Sequence, residues 1–349
     1  MNIQLLIPNF LSKRCNTNYN SNLNNSSYPN LRPLEKDTVS FTGKKILTNY
    51  TNEITFDVAC QVEHESQKAL KELLRILRKE LKKLIESPAQ PNKQIVAGAN
   101  GIKGRVKSAR SIQEKVEALN KEEGIKITTK AGIEKMGDVV GARIIMRTST
   151  QKDYDNLFTE LGKMVKRGEL KIKSVENYRL TSNDSYVSAN TLEKFEQSCN
   201  EAGIYPEIKN QAIPNGYTAV HVNVELPDGR YAEIQIMGRD MENVKEIEDF
   251  YYKYRCNKKF APRYKEIQQI FDEEMPNLTD LQKETLRMYI LDSYKNAKEL
   301  PARETKRSLN LSRDFLPFPY SLPQRLSYEN LFRMKDECDR AAKRKFKSQ

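Results

Sequence analysis

The sequence predicts an α/β fold in which helices and strands alternate, and three observations carry that reading. Apolar side chains recur at helical spacing over residues 70–85 and 153–165, residues 139–146 form a short apolar run of strand length, and residues 220–237 alternate apolar with polar around a Pro-Asp-Gly turn. The chain of 349 residues, 38% of them hydrophobic, is long enough for one large domain or two ordinary ones with a real core. Lys and Arg exceed Asp and Glu by 12, an excess that favours polyanionic partners: nucleotides, nucleic acid or an anionic membrane surface. The five cysteines, Cys15, Cys60, Cys199, Cys256 and Cys338, are scattered with no CxxC pair, which indicates neither a disulfide framework nor a zinc site. A reducing cytoplasm is expected. No stretch approaches the length of an apolar membrane span, and the opening ten residues lack the charge order of a secretion signal.

The elements follow in order. Residues 1–55 are expected to form a disordered tail, because residues 16–30 hold seven asparagines in fifteen positions and almost no aliphatic side chain to offset chain entropy. Residues 56–300 are expected to carry the folded domain. Within it Leu70, Leu73, Leu74, Leu77, Leu81, Leu84 and Ile85 make an apolar stripe opposite Lys and Glu, on a helix that ends near Ser87-Pro88. A second helix over residues 108–120 buries Ile112, Val116 and Leu119, which leaves the basic run before it in a loop at the helix entrance. A strand at residues 139–146 comes next, then a helix carrying Tyr154, Leu157, Phe158, Leu161 and Val165 on one side. The polar stretch 173–200 is ambiguous.

Val220, Val222, Val224 and Leu226 alternate with polar neighbours, and the next strand covers residues 231–237. Between them Pro227 and Asp228 suit the central positions of a type I turn, and Gly229 the left-handed position of a three-residue hairpin loop. Leu226 then faces Arg230, and Glu233 lies opposite Asn223 and Gln235 opposite His221, these four on one polar face with the other face apolar. A two-residue Asp228-Gly229 turn would set Glu233 against Val224 and mix the faces. Beyond Arg255 the chain reads as helical and highly charged. Residues 301–349 form a basic extension with 12 Lys or Arg against 6 acids, interrupted by Pro317, Pro319 and Pro323, with a final helix over residues 328–347.

Arg105, Lys107 and Lys115, with Ser108 and Ser111 between them, line a loop and the first turns of a helix. Free amides and dipole at a helix N-terminus attract anions, and adjacent cations and hydroxyls strengthen that preference for phosphate. A solvated basic helix is the bland reading of the same residues. Glu233 on a polar strand face with His221, Asn223 and Gln235 suits a metal ligand or a general base, and phosphates and magnesium are usually found together.

The run GRVKSARSIQEK, then GDVVGARII, then PNGYTAVHVNVELPDGRYAEIQI resembles the RelA/SpoT synthetase domain, the family that makes the alarmone (p)ppGpp, over about residues 95–260. The resemblance implies a nucleotidyltransferase-like fold, a mixed sheet flanked by helices, and transfer of pyrophosphate from ATP to the 3′-hydroxyl of GDP or GTP with Mg2+. It implies that Arg105 and Arg143 hold the adenine between their guanidinium planes, a role suited to arginine. Lys107, Ser108, Ser111 and Lys115 would bind the ATP phosphates. Asp138 matches the principal magnesium ligand, and Glu233 the second acid, which shares the metal or takes the proton of the attacking hydroxyl. Tyr217 matches the ring that stacks on guanine, His221 a residue near the acceptor's phosphates, Asn215 belongs to the same acceptor side, and Gln235 positions Glu233.

Two departures concern the acceptor: Met237 and Gly238 follow Ile236 where many members carry an arginine, and Thr218 follows Gly-Tyr where arginine is usual. With only His64 and His221, neither followed by Asp, no hydrolase of the long bifunctional members is expected. Three functions compete. The first is a stand-alone small alarmone synthetase. The second is a toxin-like relative that pyrophosphorylates the 3′ end of tRNA, which the basic extension supports through salt-sensitive backbone contacts. The third is a silent module that binds nucleotides or RNA, against which the two acids argue, since their repulsion costs energy unless a cation lies between them. A homo-oligomer is compatible with all three.

Overall fold

The computed structural model describes residues 55–85, 95–96, 101–121, 127–146, 151–178, 187–211, 216–299 and 316–347. The Asn-rich tail lies outside the described residues except Thr55, whose hydroxyl caps the first helix by accepting from the Val58 amide at 3.5 Å. Helix α1 (Phe56–Glu80) and a short α2 (Lys82–Ile85) precede strand β1 (Ile102–Val106), helices α3 (Ala109–Asn120) and α4 (Lys130–Glu134), and strand β2 (Val140–Met146). Helix α5 (Gln151–Lys166), β3 (Lys171–Tyr178), α6 (Ala189–Glu201), β4 (Glu207–Gln211), β5 (Ala219–Glu225) and β6 (Tyr231–Gly238) complete the α/β part. Four further helices follow: α7 (Arg239–Arg255), α8 (Lys265–Glu274), α9 (Asp280–Glu299) and α10 (Tyr328–Lys347). No helix among the described residues is long and apolar enough to cross a membrane.

The strands make one mixed six-stranded sheet in the order β1-β2-β6-β5-β3-β4. The pairs β2/β6 and β3/β4 are parallel and the other three antiparallel. One face is apolar: Val140, Ala142, Ile144, Val222, Ile234 and Ile236 pack into a core with Leu73 and Leu77 of α1 and Leu157 and Phe158 of α5. A second core joins α7 to α10 and takes in Tyr217, Ala219 and Met237 from one end of the sheet. A third binds the start of α1 to α3 and α4 through Ala59, Val62, Ile112 and Ile133.

The hairpin has the register that the alternation of side chains requires. Asn223 pairs with Glu233 and His221 with Gln235, Leu226 N–H donates to the Arg230 carbonyl at 2.8 Å, and Gly229 adopts φ +82°. Three elements depart from the sequence reading. The basic motif begins on a strand, not in a loop: Arg105 belongs to β1, and Gly104 is there because α1 crosses so close that an added Cβ would lie 2.6 Å from Leu70 Cδ1. The ambiguous segment resolves into β3 and α6, with β4 extending the sheet edge. Helix α7 starts directly after β6, well before Arg255.

The basic C-terminal extension reaches the core. Tyr328 and Leu331 of α10 are fully buried beside Leu326, and Tyr251 donates its hydroxyl hydrogen to the Leu326 carbonyl. Leu331→Ala should therefore lower the unfolding free energy by about 2–5 kcal/mol, the usual cost of truncating a buried leucine. Urea unfolding of the full chain checks this, and an unchanged midpoint would show α10 to be an appendage.

Candidate active site

The second face of the sheet is polar because its strands alternate, and strand register aligns the polar side chains in two rows. One row is Lys103, Arg143, Gln235, His221 and Glu176, on β1, β2, β6, β5 and β3 in turn. The neighbouring row is Arg105, Gly141, Glu233, Asn223 and Ser174. Arg105 and Arg143 thus stand as diagonal neighbours on antiparallel strands, a separation of roughly 7–8 Å between backbones.

Asp138 sits in the turn entering β2. The Lys107 amide donates to the Val139 carbonyl at 2.9 Å, which holds the end of β1 against that turn, and α3 brings Lys115 to the same place. Both lysine ammonium groups donate to Asp138 Oδ2, Lys115 at 2.5 Å. Burial alone would push the Asp138 carboxyl up, but the charges and hydrogen bonds of Lys107 and Lys115 together outweigh it and hold the pKa below the ordinary value. Lys107 moves down as well, chiefly through burial. The second oxygen, Asp138 Oδ1, is buried with no hydrogen-bond partner. Gly137 places this turn over the polar face: an added Cβ would lie 3.1 Å from Asn223 Oδ1, and Asn223 is the cross-strand partner of Glu233. Asp138 and Glu233 therefore serve the same side of the sheet.

Glu233 has both oxygens engaged. His221 Nδ1 donates to Oε1 at 2.9 Å and Gln235 Nε2 to Oε2 at 2.5 Å. His221 Nε2 lies 2.9 Å from the Tyr217 hydroxyl, so the ring is hydrogen-bonded at both nitrogens. Burial pushes Glu233 up, and the hydrogen bond and electrostatic pull of His221, with Gln235 and Lys245, reverse this and bring the pKa to about 2. Gln235 Oε1 accepts from Lys245 at 3.0 Å and from Arg143 Nη2 at 3.3 Å, so its amide is oriented from both ends. Arg143 Nη1 also meets Glu242 Oε1 at 3.3 Å.

At the head of α3 the Ser108 hydroxyl accepts from the Ser111 amide at 3.4 Å and donates to the Ser111 hydroxyl at 3.1 Å. Glu63 of α1 takes the Ala109 amide at 2.7 Å. Tyr217, expected as a stacking ring, is 1% exposed and offers no open face to a base in this arrangement. Gly216 at φ +85° turns it inward against Tyr178, Tyr294 and His221, and an added Cβ on that glycine would lie 2.9 Å from Tyr294 Cβ. Asn215 lies outside the described residues. The sequence reading missed Glu242 and Lys245. Met241, Val244, Ile247 and Tyr251, spaced by three and four, carried the helical signal that would have found them. Among the described residues no three His, Cys, Asp or Glu side chains cluster as a ready metal cage.

A carboxyl whose pKa falls on folding contributes stability above its unfolded value and loses it as pH drops through the folded one. For Glu233 that window runs from the ordinary 4.5 to about 2, and the contribution at neutral pH is on the order of 3 kcal/mol. Glu233→Gln should lack this part of the acid limb. Urea unfolding of both proteins across that window measures it, and parallel curves would contradict the pairing.

Residues 104–258 match the family model described as "Region found in RelA / SpoT proteins". Among solved structures, the small alarmone synthetase 1 from Bacillus subtilis bound to its product pppGpp is similar at 16% identity and TM-score 0.39, covering 67% of this chain and 88% of that one. The small alarmone synthetase 2 from Bacillus subtilis is similar at 18% identity and TM-score 0.36, covering 66% of this chain and 90% of that one. A GTP pyrophosphokinase family protein from Streptococcus pneumoniae is similar at 20% identity and TM-score 0.35, covering 70% and 86%. No curated protein matches the chain. The family match opens in β1 and closes just past α7, enclosing Asp138, Glu233, their lysine and histidine partners, and the residues of both polar rows except Lys103. Over residues 104–258 the chain is therefore similar to the RelA/SpoT region.

Proposed function

We propose that the chain transfers pyrophosphate from ATP to the 3′-hydroxyl of GDP or GTP, forming the alarmone (p)ppGpp. The observation that carries this reading is the placement of two half-buried acids on one sheet face within a region similar to RelA/SpoT proteins: Asp138 between two lysines, and Glu233 on His221. Lys107, Lys115, Ser108 and Ser111 bind the triphosphate, replacing their present partners with phosphate oxygens. The buried, unpartnered Asp138 Oδ1 fits a divalent cation, which a carboxylate oxygen without a donor nearby can ligate. Held by Asp138, magnesium would supply neutralisation of the charge that develops on the phosphates. Arg105 and Arg143 have the diagonal spacing to hold an adenine between their planes.

Glu233 faces the acceptor. Its pKa of about 2 in the unliganded site makes it a strong orienting acceptor and a weak base, and the negative charge of two nucleotides raises it toward a useful range. The 3′-oxygen attacks the β-phosphorus in line, its proton passes to Glu233, the bond from β-phosphorus to the bridging oxygen breaks, and AMP leaves. His221 keeps Glu233 in place and Tyr217, from below, keeps His221 in place. Tyr217 therefore acts through its hydroxyl rather than by stacking.

A second reading, transfer to the 3′ end of tRNA, is favoured by Met237. It is fully buried in the second core where many members carry an arginine, so this strand gives no cation for the 5′-phosphates of a free guanine nucleotide. Deleting the C-terminal extension cannot distinguish the acceptors, because α10 is part of the core. Incubation of the full chain with γ-labelled ATP, magnesium and GDP, GTP or bulk tRNA does so directly: label should move to a guanine nucleotide, label on tRNA alone selects the second reading, and label on none of them sinks both. Asp138→Ala and Glu233→Ala should each reduce transfer by about 10²-fold or more. Unchanged turnover in both would remove these acids from the mechanism.

A further inference from the structure

Glu242 is a buried carboxylate, 4% exposed, in the first turn of α7. Taking such a group out of water costs several kcal/mol unless it is paired, and the helix dipole at its position offsets only part. Its partners both come from the polar row of the site. Oε1 accepts from Lys103 Nζ at 3.0 Å and from Arg143 Nη1 at 3.3 Å. Gln235 Oε1 takes the opposite side of the same guanidinium rim, Nε at 3.4 Å and Nη2 at 3.3 Å. Arg143 is thus gripped along its edge by two acceptors, one delivered by α7 and one by β6. An edge grip fixes the plane of a guanidinium and leaves its faces for stacking, and the negative partner makes it less of a phosphate hook.

We infer that Glu242 is a positioning residue that holds the Arg143 guanidinium in the plane that receives the base of the donor nucleotide. The inference rests on the proposed ATP site, and it separates base recognition from phosphate recognition: Lys107 and Lys115 hold phosphates, whereas Glu242 acts only through Arg143. Calorimetric titration of ATP and of inorganic tripolyphosphate, both with magnesium, into the wild type, Arg143→Ala, Glu242→Ala, Glu242→Gln and the double alanine variant tests it. Glu242→Ala should weaken ATP about tenfold, the range of a lost cation–π contact, and leave tripolyphosphate unchanged. Glu242→Gln, whose amide oxygen still accepts from Arg143, should recover most of the loss. In the Arg143→Ala background Glu242→Ala should add nothing. Equal losses for ATP and tripolyphosphate would mean that α7 has merely shifted, and additive losses that Glu242 acts elsewhere; either overturns the inference, as would unchanged ATP affinity. A wild type that binds ATP no more tightly than tripolyphosphate would instead overturn the donor-base site itself, and the role of Glu242 with it.

Discussion

The register between β5 and β6 is the constraint on which the site depends. Side chains alternate along a strand, so a slip of one residue would send Glu233 and Gln235 into the apolar core and bring Ile234 and Ile236 out to solvent. The apolar layer against α1 and α5 makes that slip costly, and the left-handed Gly229 closes the hairpin in the one register that avoids it. The parallel pairing of β2 with β6 then extends the same alternation to Arg143, and β1 extends it to Lys103 and Arg105.

Charge on that face is held in balance. Asp138 is shared by two lysines, Glu233 by a histidine and an amide, and Glu242 by Lys103 and Arg143. Asp138 and Glu233 keep their ionised forms because their partners outweigh desolvation. The balance also explains how such a surface could respond to polyanions. On the proposed reading, phosphates would compete for the lysines and leave the carboxylate oxygens to a cation.

The C-terminal helices are bound into this arrangement. Tyr217 spans the boundary, its ring in the second core and its hydroxyl on His221, while α7 sends Lys245 to Gln235 and Glu242 to Arg143. A further link runs from Lys335 of α10 to Glu246 of α7 at 3.1 Å. Packing far from Lys107 and Lys115 therefore sets the orientation of the residues proposed to face the acceptor and the base.

The sequence by itself determined the hairpin, the helices that bury Ile112 and Leu157, and the basic and acidic motifs, because turn chemistry and apolar periodicity are written in neighbouring residues. It could not show that Arg105 lies on a strand: Gly104 weakens any local strand signal, and β1 exists through its pairing with β2 and the close passage of α1. It could not show that Tyr217 turns inward, since the glycine before it permits either direction and the rings that meet it inside include Tyr178 and Tyr294, 39 positions before it and 77 after. The grip of Glu242 on Arg143 was hidden for the same reason. Contacts between residues a hundred positions apart have no trace in a local window, and tertiary packing alone decides them.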